Sequence, residues 1–130
     1  MDLLEKYGYV PTDEEIAKSL DMIAKNGVKA DKDVLSLCFS AMDLTTLNPQ
    51  DTPLSVAALV DKVNAFEAAY PQYPLPASIC VYSNFADVVS SNKNNADLHT
   101  TVVSACFPSS QSFLEVKLLE CKMAVLNGAD

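Results

Sequence analysis

Two short runs, ASICVY at residues 77–82 and TTVVSACF at 100–107, are apolar almost throughout and rich in β-branched side chains. A strand with one wet face alternates polar and apolar residues, whereas a strand covered on both faces does not. Turn-forming residues bound both runs, so the pattern predicts two strands buried on both sides. Such strands belong to parallel sheets, whose crossover helices cover the faces. A shorter candidate, starting at AMDL (41–44), runs into the turn-rich stretch LNPQDT.

The segments between these runs have helical spacing. Thr12 and Glu15 form a capping box ahead of Ile16, Leu20 and Ile23, and Gly27 closes that helix. A second, shorter helix is expected from Asp31, with Val34, Leu35 and Cys38. Thr52-Pro53 reads as an N-cap followed by proline in the first turn. Val56, Leu59, Val60, Val63 and Phe66 then mark one face of a helix over 53–69, which the prolines of YPQYPLP stop. FADVVSS reads as a short helical piece. Ser112 and Glu115 read as a second capping box for a last helix, ended by Asn127-Gly128.

Helices and strands therefore alternate after two leading helices. No GxGxxG opens any helix and the chain has only three glycines, which argues against a dinucleotide-binding sheet. A (β/α) barrel, or part of one, fits better. The 130 residues hold one core rather than two. No apolar run approaches the ~20 residues of a membrane span. The N-terminus lacks the basic and apolar regions of a signal peptide, so a cytoplasmic location is expected.

Charge removes further classes. Seventeen acids face nine lysines, there is no arginine, and the net charge is -8. No nucleic-acid surface and no membrane contact are expected of such a chain. Cys38, Cys80, Cys106 and Cys121 form no CxxC pair, and the single histidine, His99, is remote from them in sequence. No metal site is expected, and reduced, buried thiols are the simpler reading.

In a parallel α/β sheet the chemistry gathers at the C-terminal ends of the strands. Those ends offer Asp43 with Thr45, Cys80 with Tyr82, and Cys106 with Phe107. A carboxylate in a buried strand must be hydrogen-bonded, paired with a cation or protonated. Asp43 could meet a lysine from another strand, or it could cap the backbone near Thr45 and Thr46. Cys80 has no neighbour in sequence that would activate it as a nucleophile, so an inert thiol is the plainer reading. His99 reads as a surface residue at the opposite end. The lysines fall in helices, loops or polar ends, and none in a buried strand. Amine catalysis would need a lysine outside these residues.

MDLTTLN, ICVYSNF, TVV followed by FPSS, and FLEVKLLECKMAVLNGAD occur in an order and spacing that resembles deoxyribose-phosphate aldolase over residues 41–130. The resemblance implies an α/β fold, a TIM (β/α)8 barrel, with only its first three βα units in residues 41–130 and an N-terminal helical extension in residues 1–40. It implies reversible cleavage of 2-deoxy-D-ribose 5-phosphate to acetaldehyde and D-glyceraldehyde 3-phosphate through a lysine Schiff base, with no metal and no organic cofactor. By the same resemblance Asp43 supports proton relay beside a lysine from across the barrel. Thr45 and Cys80 match substrate-pocket positions, and Phe107 an apolar wall.

Three departures stand out. Ser83 replaces a usual proline, and Ser109 and Ser110 stand where many members carry His-Gly. The third is that the imine lysine, its lysine neighbour and the phosphate-binding loops are all expected beyond Asp130. The sequence thus reads as an aldolase cut short, inactive alone, whose longer form takes a small phosphorylated sugar. The alternative is a non-catalytic half-barrel that acts as a binding or assembly module. A homodimer would cover its open face.

Overall fold

The computed structural model describes Lys6, Gly8 and residues 10–130. The chain forms two compact units, Met1–Asp31 and Lys32–Asp130. In the first, helix α1 spans Asp13–Lys25. Thr12 caps it as the spacing predicts: its hydroxyl accepts the Glu15 N–H at 3.3 Å, and the Glu15 carboxylate accepts the Thr12 N–H at 2.9 Å. Three acids in the first turn and Lys25 in the last complement the helix dipole.

The second unit contains α2 (Lys32–Ser40), β1 (Asp43–Thr45), α3 (Pro53–Ala69), β2 (Ser78–Tyr82), a 3-10 turn (Ser83–Phe85), α4 (Ala86–Asn92), β3 (His99–Val103) and α5 (Leu114–Leu126). The strands form one parallel sheet in the order β1-β2-β3. This is the α/β class, with strands joined by helical crossovers.

Helix α3 forms where the sequence places it. Thr52 and Ser55 cap each other's backbone N–H groups, and Pro53 occupies the first turn. Val56, Val60 and Val63 lie on one stripe and are buried, with Leu59 packing beside them. Against them sit Ile79 and Val81 of β2, Phe85, Val89 of α4, and Leu98. Each such side chain contributes on the order of 1.5–3 kcal/mol by leaving water.

Three expectations are corrected. The third strand stops at Val103 rather than 107, because Ala105 and Cys106 turn to φ 57° and 63°, a left-handed backbone no strand can hold. Ser112 does not cap α5: the cap position is Phe113, with no side-chain hydrogen bond. The first strand is exposed rather than buried, because β1 pairs only with β2 and is an edge.

The central strand β2 is buried as expected. Asn127 ends α5, and Gly128 follows at φ 95°. On α5 only Ala124 is buried, while Leu119, Met123 and Leu126 are exposed. Among the described residues no helix is long and apolar enough to cross a membrane.

Candidate functional site

Register decides which side chains meet. Asp43 lies opposite Ser78, Leu44 opposite Ile79, and Thr45 opposite Cys80. On the next pair Ser78 faces His99 and Cys80 faces Thr101. Successive side chains alternate between faces, so Asp43, Thr45, Ser78, Cys80 and Thr101 share one face. Ile79 and Val81 point the other way, into the core with α3 and α4. The sheet therefore has one dry face sealed by helices and one face carrying hydroxyl, thiol and carboxyl groups.

The Ser78 hydroxyl donates to Asp43 Oδ1 at 2.6 Å. Ser78 is buried, so this carboxylate satisfies a polar group that would otherwise be stranded. Asp43 itself is exposed, which removes the desolvation argument for a cation partner. Among the described residues no lysine forms an ion pair with it: Lys25 pairs with Asp21 and Lys93 with Asp130. Asp43 also opens β1 rather than ending it, because that strand is only three residues long.

Thr45 donates to the Asp43 carbonyl at 3.3 Å and lies directly across the strand pair from Cys80. Burial pushes the Cys80 thiol above its ordinary pKa; the Thr45 hydroxyl pulls it back, and the Asp43 charge pushes it up again. A thiol held neutral in this way is a poor nucleophile, in keeping with its inert reading. Beyond β1 the Asp51 carboxylate accepts the Thr46 hydroxyl at 2.8 Å and the Asn48 N–H at 3.0 Å, which fixes the following turn. The Tyr82 hydroxyl reaches the Leu47 carbonyl at 3.1 Å.

Phe107 stands apart from the Asp43–Thr45–Cys80 row. It lies in the loop after β3 and is 47% exposed. That loop is tied back by Glu120 of α5, a residue sequence reasoning passed over. Glu120 Oε2 accepts the Cys106 N–H at 2.9 Å, and its Oε1 accepts the Ser83 hydroxyl at 2.8 Å. An acid set between Leu119 and Cys121 was the available signal. Ser78 was also missed, though a serine two positions before Cys80 in an apolar run marks the same face.

His99 opens β3 rather than preceding it, and it stands in the same row as Ser78 and Asp43, not at the end of the sheet away from them. Its Nδ1 lies 3.3 Å from Asp130 Oδ2 and Lys93 Nζ lies 3.6 Å from the same atom. Lys93 also donates to the Leu98 carbonyl. Among the described residues no group of three or more His, Cys, Asp or Glu side chains could hold a metal ion. A cleft of about 410 Å3 lies between α2 and α3, lined by Lys32, Leu35, Phe39, Phe66 and Tyr73. It contains none of the polar groups on the sheet and is not the candidate site.

No protein-family model matches this sequence. A Caenorhabditis elegans protein named, provisionally, as a deoxyribose-phosphate aldolase is 35% identical over 123 residues. The match spans 89% of this chain and 39% of that protein. The chain is a homologue of deoxyribose-phosphate aldolases. Two solved structures agree. A provisionally named deoxyribose-phosphate aldolase from Coccidioides immitis superposes with a TM-score of 0.61 at 18% identity, covering 91% of this chain and 46% of that one. The tetrameric deoxyribose phosphate aldolase of Aeropyrum pernix gives 0.59 at 21% identity, covering 92% and 44%. At those identities the likeness is one of fold. The aldolase resemblance of the motifs at 41–130 thus extends to an aldolase relative and to the α/β fold with its parallel sheet. This chain spans 39–46% of the length of those proteins.

Proposed function

We propose that residues 41–130 supply the first three βα units of a TIM barrel in a class I deoxyribose-phosphate aldolase, with residues 1–40 as a helical extension. The observation that carries this reading is the row of Asp43, Thr45 and Cys80, gathered by strand register on the sheet face opposite α3 and α4. A barrel turns one sheet face inward and covers the other with helices, and its chemistry uses polar groups on the inner side.

In this reading the substrate is 2-deoxy-D-ribose 5-phosphate, cleaved to acetaldehyde and D-glyceraldehyde 3-phosphate with no metal or organic cofactor. The imine-forming lysine lies outside these 130 residues. Asp43 steadies a cationic lysine that meets it across the barrel and takes part in proton relay. It is open to such a partner, being exposed and held at one oxygen by Ser78. Thr45 orients substrate oxygen, Cys80 lies near the aldehyde as a neutral thiol, and Phe107 forms an apolar wall. The pathway is deoxyribonucleotide breakdown in the cytoplasm, and four free thiols suit a reducing compartment. Self-association accompanies it: the apolar residues of α5 are exposed, and the Aeropyrum relative is tetrameric.

A chimera tests the reading. Residues 41–130 replace the matching segment of the Caenorhabditis elegans relative, and deoxyribose 5-phosphate cleavage is assayed. Cleavage that falls at least ~100-fold in D43A supports it; a folded chimera without activity, built on an active parent, overturns it. The 130-residue chain alone, treated with substrate and borohydride, should gain no adduct in its intact mass. A stoichiometric adduct would show that one of its nine lysines occupies an imine pocket.

A further inference from the structure

The loop after β3 carries two successive non-glycine residues in the left-handed region, Ala105 at φ 57° and Cys106 at φ 63°. L-residues avoid that region, and such a conformation persists only where the surroundings hold it. Here the Cys106 peptide is held at both ends. Its N–H donates to Glu120 Oε2 at 2.9 Å, and its carbonyl accepts the Ser110 N–H at 2.8 Å. The other Glu120 oxygen accepts the hydroxyl of Ser83, the first residue after β2. One carboxylate on α5 thus joins the loops that leave the C-terminal ends of two neighbouring strands.

From this geometry we infer that Glu120 is a positioning residue. It fixes the loop after β3 against the turn after β2, and through the Cys106 backbone it sets where Phe107 stands. Both hydrogen bonds are charge-assisted, the stronger kind. Neither partner is on α5, so the helix does not need them in order to form. Their effect falls on the loop, at the strand ends where the proposed substrate site lies. The consequence for substrate rests on the aldolase reading; the clamp itself does not.

The choice of substitution follows from the donor pattern. In E120Q the amide oxygen can still accept the Cys106 N–H, while the amide NH2 donates to a Ser83 hydroxyl that has rotated to accept. In E120A both links are lost. Hydrogen exchange on the 130-residue chain, resolved at single amides, is the direct measurement. The Cys106 amide should exchange about tenfold faster in E120A and close to wild type in E120Q, with the core amide of Val81 unchanged. An unchanged Cys106 amide overturns the inference. So does a speed-up shared equally by Cys106 and Val81, which would mean general destabilisation.

Should E120A fail to fold, S83A removes one link alone, and its Cys106 amide should exchange about threefold faster; no change there overturns the inference equally. In the chimera, E120A should raise KM about tenfold with kcat altered less than twofold, and E120Q should restore KM. A kcat that falls as far as KM rises overturns the positioning of Phe107. A chimera without activity beside a positive exchange result leaves the clamp standing and removes the aldolase reading.

Discussion

Ser78 and Asp43 are joined across the parallel β1–β2 pair by a 2.6 Å hydrogen bond, with the serine buried and the aspartate open to solvent. The bond gives each partner a different stake. D43A strands a buried hydroxyl and should cost about 1–2 kcal/mol in urea unfolding. D43N keeps an acceptor and should cost less than half as much. Equal losses for both would show that Asp43 acts on stability through its charge and not through Ser78.

Asp130 should make stability depend on acid. Burial alone would raise its pKa, but the Thr100 N–H, His99 and Lys93 together hold its carboxyl below the ordinary value. An aspartate depressed in the folded state stabilises fully above its unfolded pKa of about 3.9, and that stabilisation vanishes as pH falls through the folded value. The side chain is 44% exposed, so solvent screening limits the effect to under ~1 kcal/mol. D130N should lower Tm near neutral pH and leave it unchanged at about pH 2. A deficit that persists in strong acid would assign the loss to packing.

Cys80 should be the slowest thiol. It is buried and its pKa is raised, whereas Cys38 and Cys121 are exposed. Iodoacetamide labelling read by peptide mass should modify Cys80 at least ~10-fold more slowly than either. Labelling of Cys80 at their rate would mean that its surroundings open readily.

Gly128 should resist any side chain. Its φ of 95° strains an L-residue, and an added Cβ would stand 2.5 Å from Ser90 Oγ and 2.6 Å from Ser90 Cβ. G128A should cost roughly 2 kcal/mol or more in thermal or urea unfolding. A double variant with S90G should recover the steric share and leave the backbone share.

Local chemistry made much of this fold legible. The caps at Thr12 and Thr52 and the stop after Asn127 involve residues at most four apart, and each formed as its spacing predicts. The central strand was legible because burial on both faces leaves a continuous apolar run. The end of β3 was not, since Ala105 and Cys106 are as apolar as Val102 and Val103, and only their backbone departs from the strand. The exposure of Asp43 was hidden for a different reason: an edge position is a property of neighbours, not of the residues themselves. Ser78 and Glu120 act on partners 35 and 37 residues away, a separation no local pattern reports.

The alternation along β2 divides one five-residue strand between two kinds of selection. Ile79 and Val81 answer to the helices behind them, so their substitutions will register as loss of folded protein, whatever ligand is offered. Under the proposed aldolase reading Cys80 answers to Thr45 and Asp43 in front, so conservative changes there should leave abundance intact and still alter ligand response. A mutational scan scored once for abundance and once for ligand response would split this strand residue by residue. Its two profiles would be out of phase by a single position.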